Sequence, residues 1–422
     1  MTRLCALARV AALLLAAAPA RATGPIIDVT KEADRRIAIG IPKLANLPAE
    51  TIGSPPDRVV AFDLELSGWF QPIHAGLLPP RTAPDWARLG AEVVVELALP
   101  GPLEGKVRDV GSGEVLFQKT YGDGLSLRQR LHVFCDDVVF ALTGEKGLAR
   151  TKIVCEWDPG EGKRVVLMDV DGFGIKELTG ERALELGPRW STDGKRAVYT
   201  SYASGYPDVY VHDLKVGHRE RVAHYEGLNA TGEIGPDGVT LLLTLSEVGN
   251  PEIYSKNLES GTMQRLTTHR GTDTSPTWSP DGSKIAFVSD RTGSPQVYTM
   301  RADGSHVERV TLRGNYNTAP DWSPDGRRIA YCSLRSDGFQ IQVLDLDGGE
   351  VITVTEGGGC EDPSWSPDGR SILYSRSAGG RTDLYVTNVN ERRALRVSGV
   401  SGRYTVPDWS PFLDGTTRGE KK

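Results

Sequence analysis

One short motif recurs six times along the final three-fifths of this chain, at a nearly constant spacing. Its clearest copies read Trp-Ser-Pro-Asp-Gly, and the steps between the six equivalent positions are 44, 44, 44, 43 and 44 residues. The six positions are Trp190, Ile234, Trp278, Trp322, Trp365 and Trp409. A fixed period in the low forties, with strand-like residues between turn signals, is typical of a β-propeller.

The chemistry of the motif predicts a tight turn beside a buried aromatic residue. Proline presets the backbone at the second position of a turn, Asp bonds back to the local main chain, and Gly accepts positive φ. The motif therefore links the innermost strand of a blade to the next strand outwards. We expect each Trp to pack between neighbouring blades as core. The second copy is degenerate, since Ile234 and Gly235 replace Trp and Ser.

The two ends of the repeat predict how the ring closes. Strands at Thr151–Trp157, Arg164–Asp169 and Lys176–Thr179 form a three-strand unit that no Trp strand precedes, whereas Tyr404–Pro411 is a Trp strand that nothing follows. We predict that this last strand becomes the innermost strand of the first blade. The result is a six-bladed propeller over residues 151–413, without exposed sheet edges.

A mixed pattern of strands and helices precedes the repeat and predicts a separate α/β domain over residues 35–146. Apolar residues at 127, 131, 134, 138 and 142 mark one helical face, which Ser126 caps and Gly144 stops. The other expected elements are strands at Arg35–Ile41, Ala91–Leu99 and Glu114–Tyr121, and helices at Arg58–Ser67 and Pro84–Leu89.

The chain begins like a secretory signal peptide, over residues 1–22. Arg3 and Arg9 precede the apolar stretch Val10–Ala18, and Ala20-Arg21-Ala22 resembles a cleavage signature. A buried N-terminal helix is the alternative. Residues 23–34 are expected to be a flexible segment and residues 414–422 a tail. Outside the first 22 residues no apolar run is long enough to cross a membrane.

Charge and cysteine usage limit the possible partners. The formal charge is −6 and becomes −9 once the three arginines of the signal peptide are removed. An acidic protein is unsuited to nucleic acid or an anionic membrane, and it suits a basic or cation-bridged protein partner. The cysteine spacing does not fit zinc. Export permits the disulfides Cys332–Cys360 and Cys135–Cys155, and buried free thiols are the alternative.

Strand alternation sorts the loops of the propeller onto two faces. The Ser-Pro-Asp-Gly turns share one face with the Asp-Gly turns, and the longer, more varied loops share the other. Loops on a rigid scaffold usually carry function. These loops lead into the innermost strands, so we expect them to form a polar, acidic channel mouth with Glu185, Asp273, Asn317, Glu361 and Asp362. Ordinary solvated loop tips are the alternative.

Catalytic motifs are not evident in the sequence. Ser204 lacks the first Gly of a nucleophile elbow, and no glycine-rich phosphate loop occurs. Asp169 and Asp171 resemble the start of a calcium loop, but position 12 of such a loop would be Gly180 rather than Glu. We therefore predict no catalytic residue, no cofactor and no metal site.

The combination of features resembles the TolB family, periplasmic proteins of the Tol–Pal envelope system. The resemblance covers nearly all of the chain after the signal peptide. It rests on the repeats, on Arg-Ile-Ala-Ile at 36–39, Gly-Trp-Phe at 68–70, Trp86 before Leu-Gly-Ala-Glu-Val-Val-Val at 89–95, Leu-Thr-Gly at 142–144, Thr-Lys-Ile at 151–153 and Val-Pro-Asp-Trp-Ser-Pro-Phe-Leu at 406–413.

The resemblance implies a non-enzymatic, monomeric interaction hub that helps maintain outer-membrane integrity and constriction at division. TolB-like proteins bind the lipoprotein Pal over the channel mouth, bind TolA through the N-terminal segment, and contact other outer-membrane proteins. The implied Pal face comprises Glu185, Leu228, Asn229, Thr231, Asp273, Thr274, Asn317, Thr318, Glu361, Asp362 and Tyr404. The implied TolA segment comprises Thr23, Pro25, Ile26, Ile27, Asp28 and Val29.

One position departs from the family pattern. Leu228 stands where the best-known members have a contact His, whereas Thr274 stands where they have a contact Thr.

Two other classes of function remain open. One is an exported propeller enzyme, similar to a peptidase or a sugar lyase. The other is a scaffold with an unrelated partner.

Overall fold

The computed structural model describes residues 35–43, 54–74, 85–98, 101–180, 183–397 and 401–413. The expected signal peptide, the segment 23–34 with its implied TolA-binding residues, and the tail 414–422 lie outside these ranges. Within them, the predicted architecture of an N-terminal α/β domain followed by a six-bladed propeller is confirmed.

The N-terminal domain is a five-stranded mixed sheet packed on two helices. The sheet order is β2-β1-β3-β4-β5, with β1 parallel to both of its neighbours and β3, β4 and β5 antiparallel. The strands are β1 (Ile37–Ile41), β2 (Phe70–His74), β3 (Val93–Ala98), β4 (Leu103–Asp109) and β5 (Val115–Tyr121), and the helices are α1 (Pro56–Leu66) and α2 (Leu127–Thr143). Ser126 and Gln129 form a capping box at the start of α2, and Gly144 ends it at a φ of 79°.

Three local details differ from the sequence expectation. The helix expected at Pro84–Leu89 is a hydrogen-bonded turn over its described residues. Strands β2 and β4 were not predicted, because neither has a clear apolar run. Strand β2 is an edge strand that contains Pro72, and β4 contains Gly105, where a Cβ would lie 2.4 Å from the Phe134 ring.

Six four-stranded antiparallel sheets make the propeller, and in blades 2 to 6 the chain runs from the innermost strand outwards. Blade 1 contains β29 (Arg403–Trp409), β6 (Lys152–Asp158), β7 (Arg164–Asp169) and β8 (Lys176–Glu177). Blades 2 and 3 contain β9 (Glu185–Trp190), β10 (Arg196–Ser201), β11 (Asp208–Asp213), β12 (Arg219–Ala223), β13 (Asn229–Ile234), β14 (Thr240–Leu245), β15 (Glu252–Asn257) and β16 (Met263–Arg265). Blade 4 contains β17 (Asp273–Trp278), β18 (Lys284–Ser289), β19 (Gln296–Arg301) and β20 (Glu308–Arg309). Blades 5 and 6 contain β21 (Asn317–Trp322), β22 (Arg328–Arg335), β23 (Gly338–Asp345), β24 (Val351–Thr353), β25 (Cys360–Trp365), β26 (Ser371–Ala378), β27 (Arg381–Asn388) and β28 (Ala394–Arg396).

The last strand closes the ring as predicted. Strand β29 pairs antiparallel with β6, with Trp409 opposite Ile153 and Tyr404 opposite Trp157. The Trp409 indole N–H donates to the Thr151 hydroxyl at 2.9 Å. Blade 1 therefore combines one C-terminal strand with three strands from the start of the propeller.

The repeated Trp residues form the contacts between blades. Each of the five is at most 8% exposed and packs against the second and third strands of the preceding blade. Trp278, for example, shares a cluster with Leu242 and Ile253 of blade 3. Ile234 takes the same place against Val198 and Val209 of blade 2. The predicted core role of this position is confirmed.

A second periodic feature, an ion pair between the third and fourth strands of a blade, was not predicted from the sequence. In three blades an acidic residue near the start of the third strand forms an ion pair, at 2.9–3.2 Å, with an Arg located 13 residues later on the fourth strand. These pairs are Asp208–Arg221, Glu252–Arg265 and Asp383–Arg396, and blade 1 reverses the polarity with Arg164–Glu177 at 3.0 Å. The pairs join the outer strands, where there is little apolar contact.

The four cysteines of the described residues are buried free thiols. Of the two possibilities left open by the sequence, the structure therefore contains the buried thiols and not the disulfides Cys332–Cys360 and Cys135–Cys155. The Cys332 sulfur lies 3.6 Å from the Cys360 carbonyl oxygen rather than against its sulfur. Cys135 lies in α2 and Cys155 in β6, within two different hydrophobic clusters.

The N-terminal domain contacts the face of the propeller that bears the Ser-Pro-Asp-Gly turns, which we call the turn face. Arg370, directly after one of these turns, lies over the Trp69 ring at 3.6 Å. Arg393 pairs with Glu65 at 2.7 Å, next to a β27–β28 turn residue, Glu391, that pairs with Arg36. The opposite face, where the inter-blade loops enter the innermost strands, is the mouth face.

Ring closure predicts a strong effect of truncation before β29. Deletion of residues 403–422 exposes the edge of β6 and removes Trp409 from its cluster, so we expect loss of cooperative thermal unfolding rather than a small shift in Tm. A chain that ends at Leu413 keeps β29 and serves as the control. Equal Tm values for the two truncated chains, measured by circular dichroism, would contradict the closure.

Candidate partner-docking face

Each innermost strand contains a bulge close to the mouth face. In five of the six strands the residue three positions before the repeated Trp has positive φ: Gly187, Ser275, Ala319, Asp362 and Val406, at 46–58°. The pairing register with the second strand shifts at the same place, for example between Thr274 and Thr277. An inserted residue reverses the inside-outside alternation of the side chains that precede it.

The bulge buries several residues that were expected to ring the mouth. The residue five positions before the Trp would face the opposite side in a regular strand, but the bulge returns it to the buried side between blades. Glu185, Asn229, Asp273, Asn317 and Tyr404 occupy this position and are at most 1% exposed. Sequence alternation alone does not reveal this, because the bulge is not visible in the residue pattern.

These buried polar residues anchor the loops of the mouth face. Asp273 pairs with Arg291 at 2.8 Å, and the Ser201 hydroxyl donates to Glu185 at 3.0 Å. The Asn317 amide donates to the Arg313 carbonyl oxygen at 2.8 Å. Their side chains do not form an accessible acidic rim in this structure.

The next positions of the implied Pal face are partly exposed. Thr274, Thr318, Glu361, Asp362 and Leu228 are half-buried. The side chain of Thr231 lies outside the described part of the structure. Burial, together with the charges of Glu156 and Glu361, raises the pKa of Asp362 to about 6. The structure thus brings Glu361 and Asp362 together with Thr residues at the channel rim.

Exposed apolar side chains form a feature of the mouth face that the sequence analysis missed. Among the described residues, six large hydrophobic side chains are exposed on its loops or at the adjoining strand end: Leu184, Tyr206, Val248, Leu312, Tyr316 and Leu334. Leu312 is 79% exposed. Leu334 donates its amide to the Tyr316 carbonyl at 3.0 Å, and the Tyr316 ring lies 5.7 Å from that of Phe339. We call Leu312, Tyr316, Leu334 and Phe339 the blade-5 patch.

At the turn face, the channel ends in a cavity of about 340 Å³ lined by charged residues, Trp and Pro. In four blades the residue directly before the repeated Trp position lines this end, and its side chain accepts the main-chain N–H of the Trp in a neighbouring blade. Glu233 accepts from Trp278, Asp321 from Trp365, Ser364 from Trp409 and Asp408 from Trp190. These bonds join the blades around the channel.

Two carboxyls at this end of the channel, those of Glu233 and Asp321, resist ionisation. Burial raises the pKa of Glu233 to about 7, although hydrogen bonds from Trp278 and Thr277 partly offset it. Burial raises the pKa of Asp321 to about 8, and the nearby charge of Arg189 only partly opposes this shift. Arg189 itself pairs with Asp408 at 3.0 Å.

The described residues include one arrangement that resembles a catalytic triad and one that resembles a metal site. Ser204 and His224 both hydrogen-bond to Asp208, so the hydroxyl contacts the acid rather than the imidazole and no base activates it. His132, Asp169 and Asp171 lie close enough to share an ion. Both carboxylates, however, are already paired with basic side chains, so we assign no metal site.

The raised pKa of Asp321 predicts a pH-dependent stability difference. The folded pKa of about 8 lies above the usual carboxyl value, so the unfavourable contribution of Asp321 appears as the pH rises from about 4 to 8. The change Asp321→Asn keeps an acceptor for the Trp365 amide. We expect the Tm to rise on the order of 2–4 °C above that of the unchanged chain at about pH 8.5 and to match it at about pH 4.

Asp325 in the adjacent turn provides a control of opposite sign. Burial opposes its ionisation, but hydrogen bonds from Ser323 and the Arg327 amide outweigh this effect and lower its pKa. Asp325→Asn should therefore destabilise the chain at neutral pH and not at low pH. The same pH profile for both variants in differential scanning calorimetry would refute the prediction for Asp321.

Within the described ranges, neither helix has the length and apolarity that a membrane crossing requires.

Comparison with known proteins places both domains in one family. The family model described as "TolB amino-terminal domain" matches residues 25–108, and "TolB beta propeller domain" matches residues 139–413.

Individual relatives agree with the family match. The chain is 34% identical over 240 residues to the Tol-Pal system protein TolB of Paramagnetospirillum magneticum, and 31% identical over 232 residues to that of Desulfotalea psychrophila. Each match covers 52% of this chain and 53% of the relative, so the chain spans about half the length of the curated relatives it matches.

A solved structure covers more of the chain. The crystal structure of TolB from Acinetobacter baumannii superimposes with a TM-score of 0.77 at 28% identity, over 90% of this chain and 97% of that one. The chain belongs to the TolB family.

Proposed function

We propose that this chain is a periplasmic, non-enzymatic interaction hub of a Tol–Pal system. It binds the lipoprotein Pal on its mouth face and TolA through its N-terminal segment, and it thereby helps maintain outer-membrane integrity and constriction during division. Family membership supports the system, and the exposed apolar patch on the mouth face is the observation that carries the docking site.

The blade-5 patch has the character of a docking surface. Exposed apolar side chains that cluster on one face commonly mark protein-binding sites, and burial of one Leu on binding is worth about 1.5–3 kcal/mol. The loop that presents Leu312 is held by the buried Asn317, and Leu334 lies at the end of strand β22. A pre-ordered surface loses little conformational entropy on binding.

In this proposal the polar residues of the rim orient the partner that binds at the same interface. Thr274, Thr318, Glu361 and Asp362 surround the channel as half-buried groups, with Leu228 on the loop before blade 3. Apolar anchors surrounded by polar groups are the usual arrangement of a binding interface. In this proposal Glu185, Asn229, Asp273, Asn317 and Tyr404 contribute indirectly, because they hold the loops.

Of the two propeller faces, the mouth face is the one that the N-terminal domain leaves free for a partner. The N-terminal domain covers part of the turn face through Trp69, Glu65 and Arg36. The proposed TolA segment, Thr23 to Val29, precedes this domain in the chain. Residues 23–34 lie outside the described residues, so this second contact rests on the family resemblance.

The docking site predicts that charge placed in the blade-5 patch weakens Pal binding. Leu312→Asp and Leu334→Asp each place a carboxylate where an apolar contact is expected, so we expect the Kd for purified Pal to rise at least about tenfold. Val216→Asp is the matched control, because Val216 is 71% exposed on the β11–β12 turn of the opposite face. Isothermal titration calorimetry measures all three.

Two results separate the parts of the proposal. Unchanged Pal affinity in both patch variants would remove the blade-5 patch from the interface but leave the partner in place. A pull-down from envelope extract that recovers neither a Pal-like lipoprotein nor a TolA-like protein would reject the Tol–Pal function itself. Deletion of residues 23–29 should abolish capture of TolA and preserve capture of Pal.

A further inference from the structure

A partly buried cluster of charged residues joins the N-terminal domain to blade 1. Helices α1 and α2 contribute Asp63, Arg128 and His132, which are at most 5% exposed. Strand β6 contributes Lys152, and the end of β7 with its following turn contributes Asp169 and Asp171. None of these residues belongs to the proposed docking face.

His132 lies at the centre of this cluster. Its Nδ1 is 2.7 Å from the Asp63 carboxylate on α1, and both side chains are almost completely buried. A ring nitrogen of His132 and carboxylate oxygens of Asp169 and Asp171 lie within 4.8 Å of one another. Among the described residues, His132 Nε2 has no hydrogen-bond partner. The ring therefore contacts a carboxylate of its own domain and lies close to two carboxylates of the propeller.

The cations around His132 are already engaged. Arg128 contacts the Asp171 carboxylate and lies 3.6 Å from that of Asp169. Its guanidinium is 4.1 Å from the centroid of the Phe173 ring, on the same turn. Lys152 pairs with Asp169 at 2.5 Å. The cluster thus holds three carboxylates and two permanent cations, and a protonated His132 makes the charges equal.

We propose that His132 is a proton-dependent latch between the two domains, which holds the β7–β8 turn against α2 when it is protonated and releases it when it is neutral. An excess negative charge is costly here, because Asp63 and Asp171 are almost completely buried and the protein interior solvates charge poorly. Protonation removes the excess and makes both ring nitrogens N–H donors, and a ring nitrogen lies within 4.8 Å of carboxylate oxygens of Asp169 and Asp171.

The electrostatics give the direction of the effect. Burial favours the neutral imidazole, but the charge and hydrogen bond of Asp63 outweigh it and raise the pKa of His132 above its usual 6.5. A raised folded-state pKa means that the latch contributes fully below about pH 6.5 and is lost as the pH rises through the higher folded value. Arg128 opposes this shift and Asp169 supports it.

Two further titratable side chains of α2, Asp136 and Cys135, lie near Asp63. Burial raises the pKa of Asp136 to about 6, although its ion pair with Arg150 opposes the shift, so the His132→Gln comparison is needed to separate the two groups. Cys135, one turn along α2 from His132, is buried near Asp63, and burial raises the pKa of its thiol well above the usual range. It therefore stays neutral. The remaining facing groups are Asp63 on α1, Arg128 on α2, Lys152 on β6, and Asp169 and Asp171 at the β7–β8 turn.

Hydrogen exchange in the full-length chain tests the latch directly. The amides of Asp169 and Gly172 close the β7–β8 turn and report its opening. After correction for intrinsic exchange, we expect their protection to fall by up to about tenfold per pH unit above the usual His pKa, until His132 is neutral. His132→Gln should remove this dependence. His218→Gln, at an exposed site on the turn before β12, should preserve it.

A second measurement keeps the proposal testable if His132→Gln does not fold. The imidazole proton resonances of His132 should titrate with a midpoint above 6.5, and Asp171→Asn should lower that midpoint and reduce turn protection only at acidic pH. A midpoint at or below 6.5 would overturn the latch. So would an unchanged pH profile of turn protection in His132→Gln.

Discussion

The antiparallel pairing of β29 with β6 is the contact on which the rest of the propeller depends. It joins residues about 250 positions apart, since Trp409 lies opposite Ile153. Without it the ring would leave the inner edge of β6 and the wall of blade 6 uncovered. Trp409 contacts two blades, because it pairs with Ile153 within blade 1 and packs on Leu373 and Leu384 of blade 6.

Contacts between neighbouring blades also surround the channel. Each Trp fills the space against the preceding blade, and the side chain directly before a Trp accepts the main-chain N–H of the next one in four of the six cases. Carboxylates are good acceptors, but here they are partly desolvated, which raises the pKa values of Glu233 and Asp321. The channel is thus held together by groups whose ionisation is itself unfavourable.

The closed ring also separates two kinds of surface. The turn face carries the repeated motif and contacts the N-terminal domain through short turns that vary little in length. The mouth face carries loops that differ from blade to blade, and exposed residues such as Leu312 and Tyr206 lie there. A rigid, repeated scaffold can present variable loops without loss of stability, because the buried anchors at their bases are part of the scaffold.

The sequence alone determined the blade number, the turns, the ring closure and the end of α2 at Gly144, because these depend on local residue chemistry and on a strict period. It also separated the two faces of the propeller. Only the tertiary structure decided which residues at the mouth are accessible. A bulge beside Asp362 and its equivalents reverses side-chain alternation, so Asp273 is buried while Thr274 is partly exposed. Only the fold could bring His132 to Asp171, since the two residues belong to different domains and no spacing rule relates them.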